Sequence, residues 1–152
     1  MPRSHNPGYA AIGLHNPANM LNVGAALRAA ACFDVALVVI AGRRYASQRT
    51  DTARAYLEIP LLQVDDLHDV IPFDCVPVAV ERRDDAISLP AYEHPARAFY
   101  IFGPEDGDLG RSVLSWCRDV VAVPSRHSLN LAAAVNIVLY DRLAKSQRAA
   151  GV

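Results

Sequence analysis

The chain reads as an α/β fold, a mainly parallel sheet flanked by helices, on three observations. Short apolar runs alternate with stretches of helical spacing along its length, as strands separated by covering helices require. Val35 to Ile40 is apolar throughout, the mark of a strand buried on both faces. Three predicted strands run directly into polar or glycine-containing segments, at Asn16-Pro17, Gly103-Pro104-Glu105 and Val123-Pro124. In an open parallel sheet, ligands bind beyond the C-terminal ends of the strands. The three segments therefore point to one composite site built from distant parts of the chain.

The elements follow in order. Tyr9 to Leu14 is the first predicted strand, and Leu21 to Phe33 the first helix, with Ala25, Leu27, Ala29, Ala30 and Cys32 as apolar positions. After the Val35–Ile40 strand comes an arginine-rich stretch, with a helix expected over Thr50 to Tyr56. Leu61 to Val64 reads as a short strand. Asp65-Asp66 has the chemistry to cap a short helix ending near Ile71, before Pro72. Val76 to Glu81 is a strand despite Pro77, Ala98 to Phe102 another, Leu109 to Trp116 a short helix, and Val120 to Val123 the last strand. Ser128 is the expected cap of a final helix reaching roughly Lys145. There Leu131, Ala134, Val135, Val138, Leu139 and Arg142 follow helical spacing, with an apolar face wide enough for burial on more than one side.

Composition narrows the classes. At 152 residues the chain fits one domain, expected to span 1–152 with no second domain. About half the residues are apolar (52%) and 20% are charged, as in an ordinary globular protein. The longest apolar run is too short for a membrane span, and Met1 to Gly8 has no signal-peptide character, so a cytoplasmic location is expected. Cys32, Cys75 and Cys117 are widely spaced and read as buried free thiols, and no histidines pair at metal-ligand spacing, so no metal is expected. The net charge of −1 does not describe a cationic nucleic-acid binder. All but one of the basic residues are arginine, however, the exception being Lys145. Arg43, Arg44, Arg49 and Arg54 cluster into a local basic patch or, equally, a solvated face.

Each polar segment has its own chemistry. Gly103 lets a ligand approach the backbone, Pro104 fixes the turn, and Glu105 places a carboxylate at the strand end, although Gly-Pro is also a common loop dipeptide. Ser128 and Asn130 sit where free helix N–H groups favour an electron-rich partner. Asn22 and Arg28 were placed by spacing at one helix end. An arginine amid Ala26, Leu27, Ala29 and Ala30 either holds an anion or lies on an exposed polar face. There is no GxGxxG, no GxxxxGK[ST] and no GxSxG, which weighs against dinucleotide oxidoreductases, P-loop NTPases and α/β-hydrolases. An unrelated doubly wound nucleotide-binding module remains an alternative.

Taken together, NPANMLNVGAALRAA (Asn16–Ala30), FGPEDGDLG (Phe102–Gly110) and VPSRHSLNLAAAVNIVLYD (Val123–Asp141) resemble, in order and spacing, the three motifs of the SPOUT RNA methyltransferases of the SpoU–TrmH branch. The resemblance spans nearly the whole chain and is closest to the TrmL group, which methylates the wobble cytidine or uridine of tRNA. The segment between Pro124 and Ser128 is shorter than in that group, and the second motif reads EDGDLG where the group has ETRGLP. The resemblance implies a deep C-terminal trefoil knot, S-adenosylmethionine bound in a bent conformation, a homodimer whose site is completed across the interface, and methyl transfer to a ribose 2′-hydroxyl. RNA, above all tRNA, is the implied partner. The alternatives are the same reaction on rRNA and a catalytically idle RNA-binding protein. The implied catalytic residues are Arg28, Asn22, Glu105, Ser128 and Asn130. The implied cofactor-binding residues are Val80, Glu81, Gly103, Pro104, Val123, Ser128 and Leu129. For Arg28, two roles are open: general base, or a clamp on phosphate and developing alkoxide.

Overall fold

In a computed structural model, which describes residues 8–42 and 59–151, seven parallel strands form one sheet. They are β1 (Tyr9–His15), β2 (Leu37–Ala41), β3 (Leu61–Val64), β4 (Val76–Val80), β5 (Ile87–Ser88), β6 (Arg97–Phe102) and β7 (Asp119–Ala122). Their order across the sheet is β3-β2-β1-β6-β4-β7-β5. The helices are α1 (Met20–Cys32), α2 (Gly110–Trp116) and α3 (Leu131–Ala149). The arginine-rich patch and the Thr50–Tyr56 helix expectation lie outside the described residues.

Period-2 alternation divides the strand side chains between two cores. Ile12, Leu14, Val38, Ile40, Val78, Tyr100 and Phe102 point to the face covered by α1 and α3, where Val23, Leu27, Val135, Val138 and Leu139 meet them. Ala11, Val39, Ala79, Phe99 and Ile101 point to the other face, closed by Leu67, Leu109 and Val113. Burial on both faces explains the uniformly apolar look of the strands. Pro77 is tolerated inside an interior strand because β7 begins to pair only at Val78. Its ring nitrogen therefore faces no acceptor in the ladder, while its carbonyl accepts Arg118 N–H at 2.9 Å.

The short helix expected after Asp65-Asp66 is present as a 3₁₀ turn, Leu67–Val70, capped by Asp66, which accepts His68 N–H at 2.9 Å, and ending at Ile71. Other expectations are corrected. Strand β5 and the turn Leu89–Ala91 have no counterpart in the sequence reading, since two residues show no periodicity. Cys32 is exposed, whereas Cys75 is buried. Ser128 does not cap α3. Asn130 does, its Oδ1 accepting Ala132 N–H at 2.9 Å and Ala133 N–H at 3.3 Å. A carboxamide oxygen serves the same orphan donors as a serine hydroxyl, so the residue type alone did not distinguish the two positions.

The buried cation of α3 organises the end of the sheet remote from the strand exits. Arg142 is only 3% exposed. Its Nη1 donates to Pro95 O at 2.6 Å and Tyr100 Oη at 3.0 Å, and its Nη2 to Ala96 O at 3.0 Å. Asp141 Oδ2 can only accept, so in the neutral ring the hydrogen sits on His94 Nε2, and Nδ1 accepts the Tyr100 hydroxyl hydrogen across 2.7 Å. The Nε2–H donates to Asp141 Oδ2 at 2.8 Å. Lys145 Nζ completes the relay, bonding Asp141 at 2.7 Å and the carbonyls of Leu89 and Tyr92 at 2.6 and 2.8 Å. Burial pushes the Tyr100 hydroxyl up to about 12.

Two predictions follow from these contacts. Asn130→Ala lowers unfolding free energy by about 1–2 kcal/mol, whereas Ser128→Ala stays within about 0.5 kcal/mol, as measured by urea denaturation. Equal effects would contradict the cap assignment. Burial also lowers the pKa of His94 below the ordinary 6.5, with Asp141 acting in the opposite sense. As pH falls below about 6.5 the unfolded chain takes up the proton first, so stability present at neutral pH is lost progressively towards the folded-state value. Denaturation midpoints therefore fall between about pH 7.5 and pH 5.5, and His94→Gln shrinks that fall. A variant slope equal to wild type would remove His94 from the account.

Candidate active site

Four strand exits lie side by side at one edge of the sheet. Strand order places β1, β6, β4 and β7 in succession. Register sets Leu14 opposite Phe102, Phe102 opposite Val80, and Val80 opposite Val121. With parallel strands about 4.8 Å apart, the residues that follow each of these emerge next to one another. The three polar segments of the sequence are thus brought together, joined by a fourth after β4.

The β4, β6 and β7 exits, with the start of α3, surround a cleft of about 290 Å³, near the lower end of small-molecule sites. Asn22, Asn130 and the rest of the β1 exit lie beside its lining. Val80, Glu81, Gly103, Pro104, Val123, Ser128 and Leu129 all line it, as does Glu105. Arg82, Arg83 and Asp108 also line it and were not singled out from sequence. The signal was available, because Arg82 and Arg83 directly follow a strand end. Gly103 also packs closely: a Cβ there would meet Leu109 Cγ at 3.3 Å, and the leucine would have to give by a few tenths of an ångström. At the neighbouring β1 exit, Asn16 adopts φ 50°. It lies so close to Gly42 that a Cβ on the glycine would approach Asn16 Cα to 2.7 Å.

The three motifs are joined by hydrogen bonds between side chains remote in sequence. Glu105 Oε2 accepts Ala18 N–H at 2.8 Å, and Oε1 accepts the Asn22 amide at 3.0 Å. Asn22 Oδ1 in turn accepts Asn130 Nδ2–H at 2.7 Å. A carboxylate only accepts, so Asn22 must turn its NH₂ to Glu105 and its oxygen to Asn130. Asn130 must then turn its NH₂ to Asn22, which leaves its oxygen for the N–H groups of α3. One carboxylate therefore sets the orientation of both amides and of the helix cap. Glu105 holds the β1–α1 loop, not Arg28.

Arg28 stands apart. It is exposed, does not line the cleft, and makes no hydrogen bond or ion pair among the described residues. Helix α1 leads away from the strand exits, so a residue six positions past Asn22 lies about 9 Å further along and about 240° round the axis. The expectation that Asn22 and Arg28 share one helix end is corrected for the single chain.

The electrostatics of the cleft are mixed. Arg83 forks onto Asp85 at 2.8 and 3.1 Å and is neutralised locally. Glu81 Oε1 accepts Leu109 N–H at 2.7 Å. Burial, reinforced by the Glu81 charge, pushes the Cys117 thiol up to about 12, so that sulfur is no nucleophile at neutral pH. Backbone groups at several strand ends, a few convergent polar side chains and an apolar floor of Val80, Phe102, Leu131 and Ala134 suit a nucleoside-sized ligand with both polar and apolar parts.

Comparison with known proteins agrees with this geometry. The SpoU rRNA methylase family profile matches residues 9–140. No curated protein matches the chain. Among solved structures, the SpoU methyltransferase AviRb from Streptomyces viridochromogenes, in complex with AdoMet, is 19% identical with a TM-score of 0.76 over 90% of this chain and 57% of that one. TrmJ from Z. mobilis is 23% identical, with a TM-score of 0.72 over 90% of this chain and 69% of its own. A protein described for 2-OH methylation of C/U34 on tRNA is 23% identical, with a TM-score of 0.77 over 96% of this chain and 99% of its own. The chain thus spans less than two thirds of the AviRb subunit and nearly all of the C/U34 protein. Since the profile match covers most of the chain and runs through all the strand exits that build the cleft, this protein belongs to the SpoU rRNA methylase family of S-adenosylmethionine-dependent methyltransferases.

Proposed function

We propose that this protein transfers a methyl group from S-adenosylmethionine to a ribose 2′-hydroxyl of tRNA, at the wobble nucleotide, acting in the cytoplasm as a homodimer of one-domain chains. The observation that carries this reading is the Glu105–Asn22–Asn130 chain beside the cleft, which joins the three motifs of the resemblance at one place. The likeness to the C/U34 protein over nearly its full length supports the wobble nucleotide as target. Methylation of rRNA is the second reading, favoured by the name of the family profile. We also take the C-terminal segment to be knotted. Residues 81–86 join β4 to β5 across β7, a strand laid down later in the chain, which supports threading of the segment that follows it.

When bound, S-adenosylmethionine would supply an electrophilic methyl on its sulfonium, and transfer to the ribose oxygen would leave a neutral thioether while the hydroxyl proton passes to solvent. The residues of the chain hold and orient. The backbone at Val80-Glu81, Gly103-Pro104 and Val123 to Leu129 would hold the cofactor, while Glu105, Asn22 and Asn130 keep the loops in register. Ser128, exposed at the rim of the cleft, is placed to meet the RNA. Arg28 acts as a clamp on phosphate and developing alkoxide, since a guanidinium with a pKa above ~12 rarely gives up its proton.

Arg28 reaches a cleft through a second copy. On α1 the exposed residues Leu21, Ala25, Arg28 and Cys32 recur at helical spacing on one face. Leu21 is 82% exposed, and on the adjoining α3 Tyr140 is 62% exposed beside Ile137. The ring of Phe33, just past α1, meets that of Tyr140 at 6.5 Å and joins the two surfaces. A groove along this face includes Val123, which also lines the cleft. A two-fold pairing on this face buries the apolar side chains and carries Arg28 towards the partner's cleft.

Incubation with labelled S-adenosylmethionine and total tRNA is expected to place label on a 2′-O-methyl group of the wobble nucleotide. Label in rRNA alone would favour the second reading, and cofactor binding without RNA labelling would favour an idle protein. Arg28→Ala and Glu105→Ala each lower turnover, the former by about 10²–10³-fold. Mixing and refolding the two inactive variants together restores part of the activity, because a mixed dimer contains one site with both side chains. No recovery on mixing would place Arg28 in its own chain's site or outside catalysis.

A further inference from the structure

Gly42 follows β2, and its backbone lies against the β1 exit. It adopts φ 123°, a conformation that only glycine holds without strain. A Cβ there would come within 2.7 Å of both Cα and Oδ1 of Asn16. Asn16 is itself held at φ 50°, with its N–H donating to Ala41 O at 2.6 Å. Strain of this kind at a residue other than glycine persists only where the surroundings over-determine it. Further along the same loop, buried Pro17 leads to Ala18, whose N–H Glu105 accepts at 2.8 Å. The β1–α1 loop is therefore gripped twice, by the β2 exit at Asn16 and by Glu105 at Ala18.

We propose that Gly42 is a positioning residue for methyl transfer: by letting two backbones touch, it sets where Ala18 and Asn22 meet Glu105. This rests on the reading that the Glu105–Asn22–Asn130 chain keeps the loops of a methyltransferase site in register. A methyl group at position 42 has to push Asn16 from 2.7 Å to an ordinary contact of 3.4 Å or more, a displacement of about 0.7 Å. Pairing of β1 with β2 as far as His15 and Ala41 resists that motion on the strand side. The displacement therefore passes forward through Pro17, whose ring fixes φ, to Ala18 and the Glu105 bonds. A misplacement of about 1 Å at a reacting centre costs on the order of 10²-fold in rate. Cofactor affinity is a separate quantity, because no described residue of the β1 or β2 exits lines the cleft.

Two readouts test the assignment well below the melting midpoints: calorimetry with S-adenosylhomocysteine, and turnover on total tRNA at saturating S-adenosylmethionine. Gly42→Ala lowers turnover about ten-fold or more while S-adenosylhomocysteine affinity stays within about two-fold of wild type. Asn16→Gly accepts the left-handed backbone and removes the Asn16 side chain that Gly42 abuts. It loosens the grip without a clash, so it keeps the test open if Gly42→Ala does not fold. It lowers turnover by less and leaves affinity unchanged. A merely structural glycine would lower the melting midpoint and leave turnover at the lower temperature intact. Wild-type turnover in either folded variant therefore overturns the Gly42 assignment alone, as does a loss of S-adenosylhomocysteine affinity equal to the loss of turnover. A wild-type protein that binds S-adenosylhomocysteine but labels no RNA, or binds neither, overturns the methyltransferase reading and this assignment with it.

Discussion

Glu105 can only accept hydrogen bonds, and that asymmetry orders the functional edge of the molecule. Its two oxygens take Ala18 N–H and the Asn22 amide, which fixes the β1–α1 loop against the β6 exit. Asn22 passes the constraint to Asn130, and Asn130 passes it to the first turn of α3. Three segments that share no local structure are thereby held in one geometry. At the other end the Ala132 and Ala133 N–H groups can only donate, which holds Asn130 in the same sense, so an amide at position 105 that turned its NH₂ to Asn22 would set two donors against each other.

A second polar relay sits at the other end of the sheet and works on the same principle. Asp141, which can only accept, fixes the tautomer of His94, and that turns the Tyr100 hydroxyl hydrogen to His94 while the same oxygen accepts from Arg142. Helix α3 is thus tied at its start by Asn130 and near its end by Arg142 and Lys145, with an apolar face packed between the two anchors. A buried guanidinium is costly unless its donors are met. Here main-chain carbonyls of residues 95 and 96 meet them, so its burial also fixes the backbone leading into β6. The placement of Gly103 and Glu105, at the far end of that strand, inherits this precision.

The cleft and the exposed α1–α3 face divide the work. The cleft gathers main-chain groups and carboxylates suited to holding a small polar molecule, whereas Arg28, with its planar fork of donors, lies outside on an apolar surface. An arginine that pairs with none of the described residues, on a surface that also exposes Leu21, Ile137 and Tyr140, has a physical rationale if a second chain supplies what it faces. A single copy presents a cleft but does not bring its own arginine to it.

Local chemistry alone determined a good deal. Alternation and apolar runs located six of the seven described strands and all three described helices, because burial leaves a period that a short window reveals. Residue types at the strand ends marked Gly103, Pro104, Val123 and Ser128, the family resemblance added Val80, Glu81 and Leu129, and all of them line one cleft. Two-residue β5 left no such trace. The choice between Ser128 and Asn130 as cap was not legible either, since both side chains satisfy the same N–H groups and only the partner Asn22 decides between them. Tertiary structure alone placed β6, β4 and β7 next to one another and oriented the amides. The amide orientation depends on contacts between residues 83 and 108 positions apart. Side-chain periodicity records whether a residue is buried, but carries no information about which distant strand or helix buries it.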